Sequence, residues 1–214
     1  NQTGTAAPGA GASSGIAYGL LFVTATGDWA QNNVIYNVTS GNGGLAGRGG
    51  TNISAGGASA AAYGIYIPNI RMNISYPIAY NNVTLISSGA GANGSGTGAG
   101  GASGISYGIY VTGAFNGNRT LSFNNISGVY SGIPGKSGNT TAGVASAAAY
   151  GIYIITIANY TVANNTISNI ITGQGGAGGN SNNTTAAGIG GASGVAAGID
   201  IFSLTTSPIT GNNI

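Results

Sequence analysis

The chain has 214 residues and a net charge of +2, and only 3% of its residues are charged, against about 25% in an average domain. Its bases (Arg48, Arg71, Arg119, Lys136) are scattered singly, so there is no basic patch for nucleic acid. Without His or Cys the chain itself offers neither a Ser–His–Asp or Cys–His nucleophile nor the usual zinc or copper ligands. Disordered chains combine low hydrophobicity with high net charge; here 42% of residues are apolar and they recur in order. No apolar run approaches the roughly 18 residues that span a bilayer as a helix.

A block of Gly-Ala-Ser-x-x-x-Tyr-Gly-Ile-Tyr-Ile type sets a period of about 45 residues. A loose first copy, ASSGIAYGLLF, starts at Ala12. GASAAAYGIYI follows from Gly57, GASGISYGIYV from Gly101, VASAAAYGIYI from Val144 and GASGVAAGIDI from Gly191. The block glycines Gly19, Gly64, Gly108, Gly151 and Gly198 lie 45, 44, 43 and 47 residues apart. After each block comes an asparagine before a β-branched stretch: Asn32, Asn81, Asn124, Asn165 and Asn212. Glycine-rich segments at 40–57, 87–102, 131–143 and 172–192 close the units. This divides one repetitive domain, 1–214, into units of approximately 11–56, 57–100, 101–143, 144–190 and 191–214.

Alternation within the block predicts strands, with Ile65 and Ile67 on one face and Gly64 and Tyr66 on the other. No stretch has the apolar spacing of a helix, and glycine on this scale opposes one. Repeats that cannot bury an apolar face alone stack, so equivalent residues should lie about 4.8 Å apart as ladders. Isoleucines would line the inside, Tyr66, Tyr110 and Tyr153 the opposite strand face. Asn32, Asn81, Asn124, Asn165 and Asn212 would form a turn ladder, since Asn tolerates a left-handed backbone and stacked amides bond one another.

The GIYI strand followed by Asn-Asn-x-Ile-Ser and a further turn resembles the right-handed parallel β-helix repeats of the pectin-lyase-like superfamily, over nearly the whole chain. The resemblance implies an all-β parallel solenoid of about 4.5 units. The coil is longer than that family's usual rung, and the glycine-rich insert accounts for the excess, as a loop lobe or as polyproline-II-like segments. The alternative fold is an antiparallel β-sandwich of the pilin-subunit kind, disfavoured by the nearly constant register.

Thirteen Asn-x-Ser/Thr sequons, Asn1, Asn37, Asn52, Asn73, Asn82, Asn93, Asn118, Asn125, Asn139, Asn159, Asn164, Asn182 and Asn183, predict N-glycosylation, with sugars replacing charge as the solubilising surface. They predict an extracellular or cell-surface location. The composition resembles that of archaeal surface and filament proteins.

The resembled superfamily contains carbohydrate-cleaving enzymes, and glycoside hydrolysis needs two carboxyl groups about 5–9.5 Å apart. Asp28 and Asp200 are the only acids; with one coil per unit, four rungs would hold them nearly ~20 Å apart. The expectation is therefore no enzyme, no catalytic residue, no cofactor and no metal. A structural subunit of a surface filament or layer is expected, with self as partner. Stacking would run head to tail through residues 10–25 and 199–214, because the chain opens late in a glycine segment and stops just after an asparagine. The alternative function is an adhesin binding glycans through the aromatic ladder.

Overall fold

The computed structural model describes residues 9–22, 30–46, 53–68, 77–113, 119–156, 160–180, 186–203 and 208–214. Its regular structure is all β, with no helix among the described residues. The first unit contributes β1 (Ala17–Leu21), β2 (Ala30–Gln31) and β3 (Val34–Thr39), and the second β4 (Ala62–Ile67), β5 (Ile78–Ala79) and β6 (Asn82–Ser87). The third contributes β7 (Ser106–Gly113), β8 (Arg119–Ser122) and β9 (Asn125–Tyr130), and the fourth β10 (Ala149–Thr156), β11 (Tyr160–Ala163) and β12 (Thr166–Ile171). The fifth adds β13 (Ala196–Ser203) and β14 (Ile209–Thr210). Each strand joins the strand of like position in the next unit. The orders are β1-β4-β7-β10-β13 in sheet A, β2-β5-β8-β11-β14 in sheet B and β3-β6-β9-β12 in sheet C.

All these strand pairs are parallel. That excludes the antiparallel sandwich and is compatible with a β-helix or solenoid. One circuit through sheets A, B and C is called a rung below. The register pairs like with like: Leu20, Ile65, Ile109, Ile152 and Ile199 form one column, and Ile35, Val83, Ile126 and Ile167 another. These columns meet between the sheets as the core.

The alternation expected within the block fails at its glycine. A Cβ at Gly64 would lie 2.4 Å from Val83 Cγ1 and 3.3 Å from Ile86 Cδ1, so Gly64 faces the core and does not share the Tyr66 face. The ladder register skips it, pairing Tyr63 with Tyr107 and then Ile65 with Ile109. The extra inward residue puts Tyr63 and Tyr66, three apart, in ring contact. Gly108 and Gly151 repeat this, with added Cβ atoms 2.5 and 2.6 Å from Ile126 and Ile167 Cγ2.

The described parts of the glycine-rich segments are hydrogen-bonded layers rather than loose loops. The N–H groups of Gly11, Ser14 and Ala17 donate to the carbonyls of Ala55, Ala58 and Ala61. Those of Gly56, Ser59 and Ala62 donate to Ala99, Ala102 and Ile105, and those of Ser88, Gly91 and Gly94 to Tyr130, Ile133 and Lys136. One donor in every three is the period of polyproline II, which has no internal hydrogen bonds and directs its polar groups to neighbours. A second series joins outgoing to returning segments: Gly44 to Ala12 (2.7 Å), Gly57 to Gly44 (2.9 Å), Ala92 to Gly57 (2.9 Å), Gly101 to Ala92 (2.7 Å) and Gly135 to Gly101 (2.9 Å). A Cβ at Gly101 would sit 1.9 Å from the Gly57 carbonyl oxygen. Glycine is required there by close approach of two backbones.

Candidate functional site

Among the described residues three features stand out: a largely buried asparagine ladder, a tyrosine double stack on sheet A and six sequon asparagines. Asn81 donates its backbone N–H (3.1 Å) and its Nδ2 (2.8 Å) to Asn124 Oδ1. Asn124 repeats this onto Asn165 (3.0 and 2.9 Å), and Asn165 onto Asn212 (both 2.9 Å). The second Nδ2 proton of each reaches back one rung, to the carbonyl of Ala30 from Asn81, of Ile78 from Asn124, of Leu121 from Asn165 and of Val162 from Asn212. The first-unit member is Asn33, bonded to Asn81 Oδ1 through N and Nδ2; Asn32, expected from the spacing, lies outside the ladder. Its φ of 55° places it in a corner column with Tyr80 (57°), Phe123 (56°), Asn164 (55°) and Gly211 (63°). Only three of those five are residue types that tolerate a left-handed backbone readily, which is why aligning the Asn-Asn pair slipped by one.

Hydroxyls tie sheet C to the glycine layers. Ser40, Ser88 and Ser131 Oγ accept from the N–H of Gly89 (3.1 Å), Gly132 (2.8 Å) and Gly173 (3.0 Å). Ser40 and Ser131 also donate to the carbonyls of Ala60 (2.7 Å) and Ala147 (2.8 Å). The block serines Ser14, Ser103 and Ser146 accept from Ala60, Ala147 and Gly194 N–H.

On sheet A, Tyr66, Tyr110 and Tyr153 pair in register, with successive centroids 5.2 and 5.5 Å apart. A second column, Tyr18, Tyr63, Tyr107 and Tyr150, stands beside it, spaced 5.2, 5.0 and 5.5 Å at interplanar angles of 12°, 7° and 14°. This column was missed because simple alternation put the block's first tyrosine out of register with the second; the intervening glycine was the signal. Asp200 occupies the next ladder place after Tyr153. Burial, with neighbouring hydroxyls adding, raises the Tyr63 pKa to about 12 and pushes Tyr107, 7% exposed, higher still. Because the inner rings lie face to face, both faces of Tyr63 and Tyr107 are covered by neighbours, and a sugar has only edges and hydroxyls to meet there.

Of the sequon asparagines, Asn37, Asn82, Asn93, Asn125, Asn139 and Asn164 are described; Asn1, Asn52, Asn73, Asn118, Asn159, Asn182 and Asn183 lie outside the described residues, as does Asp28. Asn37, Asn93, Asn125, Asn139 and Asn164 are exposed and Asn82 is half-buried. Asn93 uses Oδ1 to accept from Lys136 N–H (2.8 Å), leaving Nδ2 for a sugar. Asn125 Nδ2 donates to Asn82 Oδ1 one rung away (3.1 Å). Among the described residues no group of three His, Cys, Asp or Glu could hold a metal, and no helix is long and apolar enough to cross a membrane.

Comparison with family models, curated proteins and solved structures yields no significant match.

Proposed function

We propose that the chain is an extracellular, N-glycosylated β-solenoid that serves as a structural rod in a cell-surface filament or layer. The observation that carries this reading is the display of five of six described sequon asparagines at the surface of a repeat whose main-chain and side-chain ladders run from rung to rung. In a chain with 3% charged residues, glycans supply the hydrated coat that charge supplies elsewhere. Rod stiffness comes from the ladders, each rung being hydrogen-bonded to the next through strands, asparagines and glycine layers.

Tyr18 in the first rung and Ile209 and Ile214 in the last are exposed, at places where an adjoining rung in the interior leaves Tyr107, Val162 and Ile167 buried. In this reading that rung belongs to a second copy. The contact is head to tail, and a heterologous contact that does not close builds a filament. The adhesin alternative draws no support from the inner tyrosines, whose faces are occupied.

Intact mass with glycopeptide mapping, joined to electron microscopy of the native material, tests the proposal. Sugar on several of these asparagines and rods with an axial repeat of one subunit are expected. A bare 20.5 kDa polypeptide would refute the glycan half. A monodisperse glycosylated monomer for the native mature chain would refute the filament half.

A further inference from the structure

The left-handed corner column holds two residues that do not belong there on backbone grounds. Asn32, Asn164 and Gly211 suit a φ near +55 to +63°, whereas an aromatic residue in that region is an outlier, and such outliers gather at functional positions. Tyr80 and Phe123 nevertheless occupy it, 56% and 48% exposed, with rings 5.0 Å apart at 3°. Tyr80 therefore covers one face of Phe123. The other face looks along the column to the adjoining rung, whose residue is Asn164. The backbone carries this directly: Tyr80 N–H bonds the Ser122 carbonyl, Phe123 N–H that of Ala163, and Asn164 N–H that of Thr210.

Asn164 is exposed and heads the sequon Asn164-Asn165-Thr166. Its Oδ1 is turned to the far side, 2.3 Å from where a Cβ on Gly211 would be. The two ends of a carboxamide lie on opposite sides of the Cβ–Cγ bond, so Nδ2 is on the side of Phe123. Equivalent residues on adjoining rungs are about 4.8 Å apart, the separation at which a flat apolar face packs on an aromatic ring. A pyranose has such a face, formed by its axial C–H bonds.

We infer that Asn164 is a glycan attachment site whose first sugar is seated on the open face of Phe123, with Tyr80 supporting the ring from behind. This rests on the glycosylation reading above and adds a built seat at one sequon. The seat covers a ring that is otherwise bare to water, and it holds the glycan against the corner between sheets B and C.

The test is a double-mutant cycle on the native glycoprotein. Phe123→Asn removes the ring and installs a residue the backbone accepts, so the fold is retained. Thr166→Val destroys the sequon while keeping a β-branched strand residue and Asn164 itself. Glycopeptide mapping should find Asn164 occupied, and Thr166→Val should lower the Tm by ~3 °C in the Phe123 background and by less than ~1 °C in the Phe123→Asn background. In NMR spectra the first sugar's C–H resonances should move upfield and return on Phe123→Asn. An occupied Asn164 with additive effects and unshifted sugar resonances overturns the seat while glycosylation stands. A bare Asn164 beside occupied Asn93 and Asn139 overturns the site. Sugar at no asparagine overturns the underlying reading instead.

Discussion

Replacing Asn124 by Ala tests whether the asparagine ladder holds the rungs together. Asn124 is 1% exposed and central in the ladder. Its Oδ1 accepts from Asn81 N and Nδ2, and its Nδ2 donates to Asn165 Oδ1 and to the Ile78 and Ser122 carbonyls. Alanine leaves two donors on Asn81 and the Ile78 carbonyl without these partners. Asn165 Oδ1 keeps the backbone N–H of residue 124, so it is not stranded. Three buried polar groups at about 1–3 kcal/mol each, partly relieved by a water entering the space, give a loss of about 3–6 kcal/mol. For a chain of this length that is a fall in Tm of ~10–20 °C, a large part of a typical total stability of about 5–15 kcal/mol. Asn33→Ala is the control: it removes one donor to Asn81 Oδ1 but leaves the backbone bond to it, so the expected cost is below ~1 kcal/mol. Circular dichroism melts of both variants against the parent decide. If Asn124→Ala melts within ~3 °C of Asn33→Ala, the ladder is a by-product of sheet stacking and the reasoning fails.

Gly101→Ala would drive a methyl into the Gly57 carbonyl at 1.9 Å, whereas at Gly190 the nearest atom is 4.0 Å away; urea melts should show a loss of about 1–3 kcal/mol for the first and almost none for the second, and equal losses would contradict the close-packed glycine layers. Alkaline pH should destabilise the fold. Tyr63 titrates near 12 when folded, from an ordinary value of 10.0, and burial holds Tyr107 above that value too; the unfolded chain therefore releases these protons first, and stability falls as pH rises from 10 to 12. Between roughly pH 2 and 8, two carboxylates and no histidine leave little linkage, so a Tm that drifts by tens of degrees across that range would show that ionisable groups have been underweighted. Site-resolved mass spectrometry should find Asn82 less occupied than Asn93, because Asn82 is half-buried and Asn93 exposed; equal or greater occupancy at Asn82 would refute this.

Much of the fold was legible because repetition converts local chemistry into long-range register. A block recurring every 43 to 47 residues leaves one economical way to bury its isoleucines, which is to lay Ile65, Ile109 and Ile152 on one another, and the parallel sheets do so. The asparagine ladder was legible for the same reason, apart from its first rung. There the pair Asn32-Asn33 offers two identical side chains. Only the backbone, left-handed at Asn32 and not at Asn33, decides which amide turns inward.

The tertiary structure decided three things that local patterns cannot express. The glycine at the centre of the block faces the core because sheet C supplies Val83 and Ile86 against it, a contact between residues about 20 apart in sequence, and this creates the double tyrosine stack. The described parts of the glycine-rich segments form hydrogen-bonded layers because neighbouring rungs bring their backbones within reach; one such segment alone has no partner for its polar groups. Finally, Phe123 faces Asn164 across rungs while standing 41 residues from it in the chain. Composition and period determined that the repeats of this chain stack on one another, whereas the side chains that meet at its corners were set by backbone handedness, which a sequence of mixed Asn, Tyr, Phe and Gly does not reveal.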